Sequence, residues 1–213
     1  MEIFLASDQG NRMRNLRGST VDEYLSRAVA KWPDVPAVHG WLALDRRGRW
    51  LLRGSRVLNP ALIDYISRNY RSDSQGRWFF QNGPQRVYVD LDCTPFVHSL
   101  DGNGRLITHT GRPVSCVCNA WMDETGSLIL EAEPGPGLVN DRDLAVLCES
   151  LVDEKDRPVD DEAFLRWMAD ADTPLDAHLP KIRLAIQGAR IDIARIHSSR
   201  IADRLGFDPS PRP

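Results

Sequence analysis

The sequence predicts an α+β protein: repeated β-hairpin/helix motifs with mainly antiparallel sheets, followed by C-terminal helices. Three observations carry this reading. Four segments share one turn signature, Asp-x-x-Gly and then an apolar run: DRRGRWLL from Asp45, DSQGRWFF from Asp73, DGNGRLI from Asp101 and DETGSLIL from Asp123. Around them, apolar residues either alternate with polar ones or recur at helical spacing. Beyond Asp153 the composition turns charged, with apolar residues every three or four positions.

The turn reading rests on chemistry. Asp at the first turn position accepts amide protons from residues ahead of it, and Gly at the fourth supplies a left-handed backbone. Between strands this makes a short hairpin connection with a bulge. The first three copies start 28 residues apart and the fourth 22 further on. Reading DGNG as a calcium loop fails, because the further carboxylates and terminal Glu of such loops are missing.

The remaining elements follow in order. Residues 1–18 lack periodicity and read as a loose arm with Arg12, Arg14 and Arg17. Thr20 and Glu23 form a capping box for a helix with Val21, Leu25, Ala28 and Val29 inward, ending before Pro33. Asn59-Pro60 opens another, with Leu62, Ile63, Ile66 and Tyr70 on its buried side. In QRVYVDLD, Val87, Val89 and Leu91 take one strand face while Arg86, Tyr88, Asp90 and Asp92 take the other, after a tight Asn82-Gly83 connection. In PVSCVCNAWM, Val114, Cys116, Cys118, Ala120 and Met122 share a face. A helix capped at Asn140 or Asp141 follows, and another over 160–171 with Phe164, Leu165 and Met168 inward. Residues 179–205 read as one long helix with the seam Leu179, Ile182, Ile186, Ala189, Ile193 and Ile196. The tail FDPSPRP reads as disordered. The organisation expected is an N-terminal arm and helix (1–36), a first α/β motif (37–100), a second (101–152), and a C-terminal helical segment and tail (153–213).

Composition narrows the function classes. At 213 residues, with 42% hydrophobic and 27% charged residues, the chain can bury a core unaided. A net charge of −3 argues against nucleic acid as a partner for the whole surface. No run approaches the ~18 apolar residues of a membrane span, and the start reads as no export signal, so a cytoplasmic location is expected, with Cys93, Cys116, Cys118 and Cys148 as free thiols. Twelve acids against four bases in 140–176, and seven bases against three acids in 177–213, predict that these segments pair. The basic stripe Arg183, Arg190, His197 and Arg204 would face those acids, in the same chain or in a homodimer built through the 179–205 helix.

Residues 76–97, GRWFFQNGPQRVYVDLDCTPFV, resemble an uncharacterised proteobacterial family and, more distantly, domain of unknown function family 1285. There a Gly-aromatic strand, a P-x-x-x-V-x-V-x-V-x-D strand and P-F-V follow in that order; here Gly76 opens the first, Pro84, Arg86, Tyr88, Asp90 and Asp92 lie on or beside the second, and Pro95, Phe96 and Val97 complete the run. The family strand opens Thr-Pro-Val-Glu, where this chain has Asn-Gly-Pro-Gln-Arg. The likeness runs loosely from Gly40 to Val152. It implies a fold of repeated α/β motifs with no established activity and a role in signalling or ligand response.

No nucleophile elbow or phosphate loop is present, and the five histidines show no ligand spacing, so no cofactor or metal is expected. Cys116 and Cys118 could join Cys93 or His98 around a metal, but packing as small hydrophobes explains them better. The acidic pairs Glu131/Glu133 and Asp141/Asp143 fit solvated faces. The function expected is a non-catalytic ligand- or protein-binding regulatory module, with a small metal-dependent hydrolase using Asp90 and Asp92 as the alternative. The candidate ligand-binding residues are Trp78, Gln81, Asn82, Arg86 and Tyr88, which combine a planar five-donor fork, amphipathic rings and amides.

Overall fold

In the computed structural model of the chain, residues 35–169 and 181–213 are described. The predicted arm and the helix before Pro33 lie outside them.

The four Asp-x-x-Gly segments form one turn repeated. Asp45 Oδ1 accepts the N–H groups of Arg47 and Arg49 at 2.9 and 2.8 Å, and Asp73, Asp101 and Asp123 do the same two and four residues ahead. Gly48, Gly76, Gly104 and Gly126 have φ of 74°, 72°, 72° and 81°. In the first three turns the Arg after the glycine folds back onto the second carboxylate oxygen. The same turn occurs twice more behind a changed signature. Asp156 takes the glycine's place (φ 59°) between Asp153 and Arg157, and Thr108 replaces the aspartate before Arg112.

Each of the four turns joins antiparallel neighbours: β1 (Ala37–Leu44) to β2 (Trp50–Leu52), β4 (Tyr70–Ser72) to β5 (Trp78–Asn82), β7 (Phe96–Leu100) to β8 (Leu106–Thr108), and β9 (Ser115–Met122) to β10 (Leu128–Glu133). The other strands are β3 (Ser55–Arg56), β6 (Gln85–Leu91), β11 (Gly137–Val139), β12 (Leu151–Val152), β13 (Arg183–Ile186) and β14 (Ala189–Arg195). They form a six-stranded sheet, β3-β2-β1-β6-β5-β4, and an eight-stranded one, β12-β13-β14-β9-β10-β11-β7-β8. Strands β9 to β14 are ordered as β1 to β6 are, and β7-β8 extends the second sheet beyond β11. Both sheets are mixed, because β1 pairs parallel with β6, β9 with β14, and β7 with β11. These pairings join residues far apart in sequence, so no local pattern announces them.

Helices α1 (Pro60–Arg68) and α2 (Asp141–Cys148) sit between corresponding strands, β3/β4 and β11/β12. Each is capped by an asparagine: Asn59 accepts Leu62 N–H at 3.0 Å and Asn140 accepts Arg142 N–H at 3.2 Å. Helix α3 (Asp161–Ala169) starts on Asp160, which accepts Ala163 N–H at 2.7 Å. It buries Trp167, while Leu165, expected inward, is 65% exposed. One core packs Trp50, Ile66, Tyr70, Phe80, Val87 and Phe96; the other packs Met122, Leu130, Trp167, Leu184 and Ile193. No helix among the described residues is long and apolar enough to cross a membrane.

The long C-terminal helix does not form. Residues 183–195 are the hairpin β13–β14, turning at Gln187-Gly188 with φ of 50° and 78°. Among the described residues from 181 on, only Ile201–Leu205 is α-helical (α4), after a 3-10 turn at Ser198–Arg200. The Ile spacing satisfies a helix, but Ile191 and Ile193 also alternate, and Gly188 is costly inside a helix and favourable in a tight turn. Pairing with β9 decides it, burying Ile193 at 6% exposure, with Leu184 at 0% on the partner strand. The homodimer expected through that helix loses its seam. The charge expectation survives in part: Arg183 and Arg190 reach Asp156 at 3.3 and 2.9 Å.

Cys116 and Cys118 are exposed, not packed in. Opposite Glu131–Glu133, β9 carries two extra residues, with Cys116 at φ 50°. This bulge breaks the alternation, so Val114, Ala120 and Met122 stay buried while the cysteines turn out.

Candidate functional site: the strapped face of the first sheet

Register on β5 and β6 sorts the expected ligand residues. Phe79 lies opposite Tyr88 and Gln81 opposite Arg86, so these four share one face. Asp90 follows them on β6 by alternation. Trp78 has the other parity and belongs to the core, 4.9 Å from Tyr70 and 5.0 Å from Phe96 between ring centroids. Asn82 ends the strand and donates to Gln85 Oε1 at 3.3 Å. Gln81 also turns to the hairpin, donating to Gly83 O and Gln85 O. The structure therefore brings Gln81, Arg86 and Tyr88 together and separates Trp78 from them.

Rings and guanidinium groups layer this face. His39, from β1, stacks on Tyr88 at 4.5 Å and 10°. Arg77 lies 5.0 Å above the Tyr88 ring and Arg86 lies 4.8 Å above Phe79. Local sequence offers no hint of His39 here. It arrives through the parallel pairing of β1 with β6.

The C-terminal tail, expected to be disordered, is strapped across this sheet. Phe207 is buried in the first core, and Asp208 N–H donates to Gly76 O at 3.0 Å. Leu91 N–H donates to Pro209 O at 2.8 Å, and His39 Nδ1 bonds Pro211 O at 2.9 Å. Arg212 Nη1 meets Asp90 Oδ1 at 2.7 Å, and Ser210 Oγ donates to the same oxygen at 3.1 Å. Three prolines in seven residues suggested disorder, yet proline also stiffens an extended segment and lowers the entropy lost on docking.

The tail occupies one member of the acidic pair behind the hydrolase reading. Asp90 is bonded to Arg212 and Ser210, Asp92 is exposed, and the described residues hold no group of three His, Cys, Asp or Glu arranged for a metal. Glu131 accepts from Asn119 at 2.8 Å, and Asp143 accepts Leu100 N–H at 3.1 Å.

Two histidines stand out for burial. His98 is 0% exposed and neither ring nitrogen makes a hydrogen bond. His109 Nδ1 accepts Val97 N–H at 3.3 Å, and its buried Nε2 has no partner. Trp50, Phe96 and Tyr70 surround the His109 ring at 5.1, 5.7 and 6.0 Å. Burial holds the His98 imidazolium at a pKa of about 4, and burial with nearby positive charge holds that of His109 at about 3.

Comparison with known proteins places the chain in a family. It belongs to DUF2944, described as "Protein of unknown function (DUF2946)", whose profile matches residues 21–212. A DUF1285 family protein from Silicibacter pomeroyi DSS-3 is similar in structure, with TM-score 0.47 and 17% identity, covering 77% of this chain and 85% of that one. A DUF1285 family protein from Shewanella baltica OS155 is similar over 48% of this chain and 86% of its own, with TM-score 0.37 and 15% identity. No curated protein matches. The chain is thus of an uncharacterised family, as the stretch from Gly76 to Val97 implied.

Proposed function

We propose that this DUF2944 chain is a non-catalytic regulatory module that binds a short, proline-containing extended peptide on the outer face of its first sheet. One observation carries the reading: the chain's own Asp208–Arg212 already sits there as such a ligand. Its backbone makes three hydrogen bonds, to Gly76, Leu91 and His39, and its arginine meets Asp90. Main-chain bonds that hold an extended segment, plus a charged group that sets its register, are the usual terms of peptide recognition. Gln81, Arg86 and Tyr88 extend the same face beyond the tail. Held in cis, the tail competes at an effective concentration in the mM range, so a partner must displace it. That makes the module self-regulated.

The strand order supports a finer reading, two copies of one hairpin–helix unit, residues 37–91 and 115–195. Each has a bulged first strand, an Asp turn, an Asn-capped helix, a second Asp turn and a closing strand parallel to the first. Among the described residues, the tail's hydrogen bonds to the two copies all go to the first, which favours that sheet as the recognition surface.

A truncated chain ending at Phe207 tests the function. Labelled DPSPRP peptide should bind it by fluorescence polarisation, fail to bind the full chain, and bind the Asp90→Ala variant of the truncated chain about tenfold more weakly. If the truncated chain keeps its far-UV spectrum yet ignores the peptide at millimolar concentration, the reading is wrong.

A further inference from the structure

A concavity lies where β14 runs into the 3-10 turn and α4. It measures about 390 Å³ and is lined by Trp121, Arg195, Ile196, Arg200, Asp203 and Arg204. Three guanidinium groups against one carboxylate leave a formal charge of +2. The local fold explains the crowding. Arg200 and Arg204 are four positions apart, so a helical turn brings them to one side. Arg195 ends β14 opposite Met122, next to Trp121.

Nearby groups are committed in ways that leave the cleft basic. Glu124 accepts Ser198 N–H at 2.8 Å and Ser198 Oγ at 2.5 Å, which pins the 3-10 turn to the β9–β10 connection. The Ser198 hydroxyl bond above all, with the Ser198 amide and His197 adding to it, holds the Glu124 carboxyl down at about 2, so it stays ionised and in place. Arg195 is steadied by Trp167, whose carbonyl accepts from Nη1 at 3.4 Å. Arg204 lies 5.8 Å over the Trp121 ring. Among the described residues, neither Arg200 nor Arg204 makes an ion pair.

We propose that this cleft binds a small organic phosphate monoester. Several planar forks converging from different elements suit a tetrahedral dianion, which offers each a pair of oxygens. The volume falls in the range of small-molecule sites and exceeds what a bare oxyanion needs. The remaining space, walled by Ile196 and Trp121, takes the organic body. The site shares no residue with the peptide seat and stands independently of it.

Isothermal titration calorimetry on the full chain tests this with AMP, glucose 6-phosphate, inorganic phosphate and adenosine. At least one of the two esters should bind, about tenfold more tightly than inorganic phosphate, and adenosine should not. The double variant Arg200→Ala/Arg204→Ala removes two exposed side chains, so its melting temperature should hold while ester affinity falls at least about tenfold. Arg200→Lys should lose part of the affinity because the fork is lost while the charge stays. Arg105→Ala, an exposed arginine on another turn, should change nothing. Ester affinity unchanged in the double variant, or neither ester binding at millimolar concentration, overturns the proposal. Phosphate binding as tightly as its esters overturns the organic part.

Discussion

Acidification should unfold this protein through His98 and His109 before Asp45, Asp73, Asp101 and Asp153 are neutralised. Both imidazoles are buried and held neutral, with pKa values of about 4 and 3 against an ordinary 6.5. In the unfolded chain they charge freely. Below pH ~6.5 the unfolded state therefore binds more protons, and stability falls as pH falls until the folded values are passed. At about pH 4.5 each histidine costs ~2.5 kcal/mol, so the pair removes ~5 kcal/mol. That is comparable to the whole stability of many domains. Asp45, Asp73, Asp101 and Asp153, all held below the ordinary carboxylate value, do not share this window. Backbone N–H bonds and Arg157 hold Asp153 down at about 2, so its contribution is lost only at lower pH. Urea unfolding followed by tryptophan fluorescence, at about pH 7.5 and 4.5, measures the loss. His98→Leu removes one titrating group and two unpaired nitrogens at similar volume. It should leave neutral-pH stability unchanged or raised by about 1 kcal/mol, and should halve the acid loss. A variant destabilised at neutral pH with the full acid loss intact would refute the reasoning.

Two further outcomes follow from local geometry. Gly76→Ala and Gly104→Ala both place a Cβ at φ 72°, but only at Gly76 would it meet backbone, Gly206 O at 2.3 Å. Gly104→Ala should cost about 1 kcal/mol and Gly76→Ala clearly more, with release of the tail, as thermal melts and proteolysis of the C terminus would report. Among the four thiols, Cys116 and Cys118 should react first with a thiol reagent. Cys93 and Cys148 should lag, since burial raises the pKa of both thiols.

Much of the architecture was legible because its causes are local. An Asp turn needs only an acceptor, a left-handed position and the amides two and four residues on, so Asp45, Asp73, Asp101 and Asp123 could be read directly. Asn59-Pro60 and Asn140 likewise cap helices with bonds to the next turn. The alternation of Arg86, Tyr88 and Asp90 with Val87 and Val89 assigned the faces of β6 correctly. Trp78 escaped because its parity follows from register against Tyr88, which composition does not express. The cysteines escaped because a bulge shifts alternation without leaving a residue signature. At 183–195 the spacing of Ile182, Ile186 and Ile193 satisfied a helix and that of Ile191 and Ile193 a strand. The choice fell to β9, which offered Ala120 as a parallel partner for Ile193. The strap was hidden for the same reason: Arg212 finds Asp90 across 122 positions. Burial and pairing between distant segments release far more free energy than local propensity, usually a fraction of a kcal/mol per residue, can oppose.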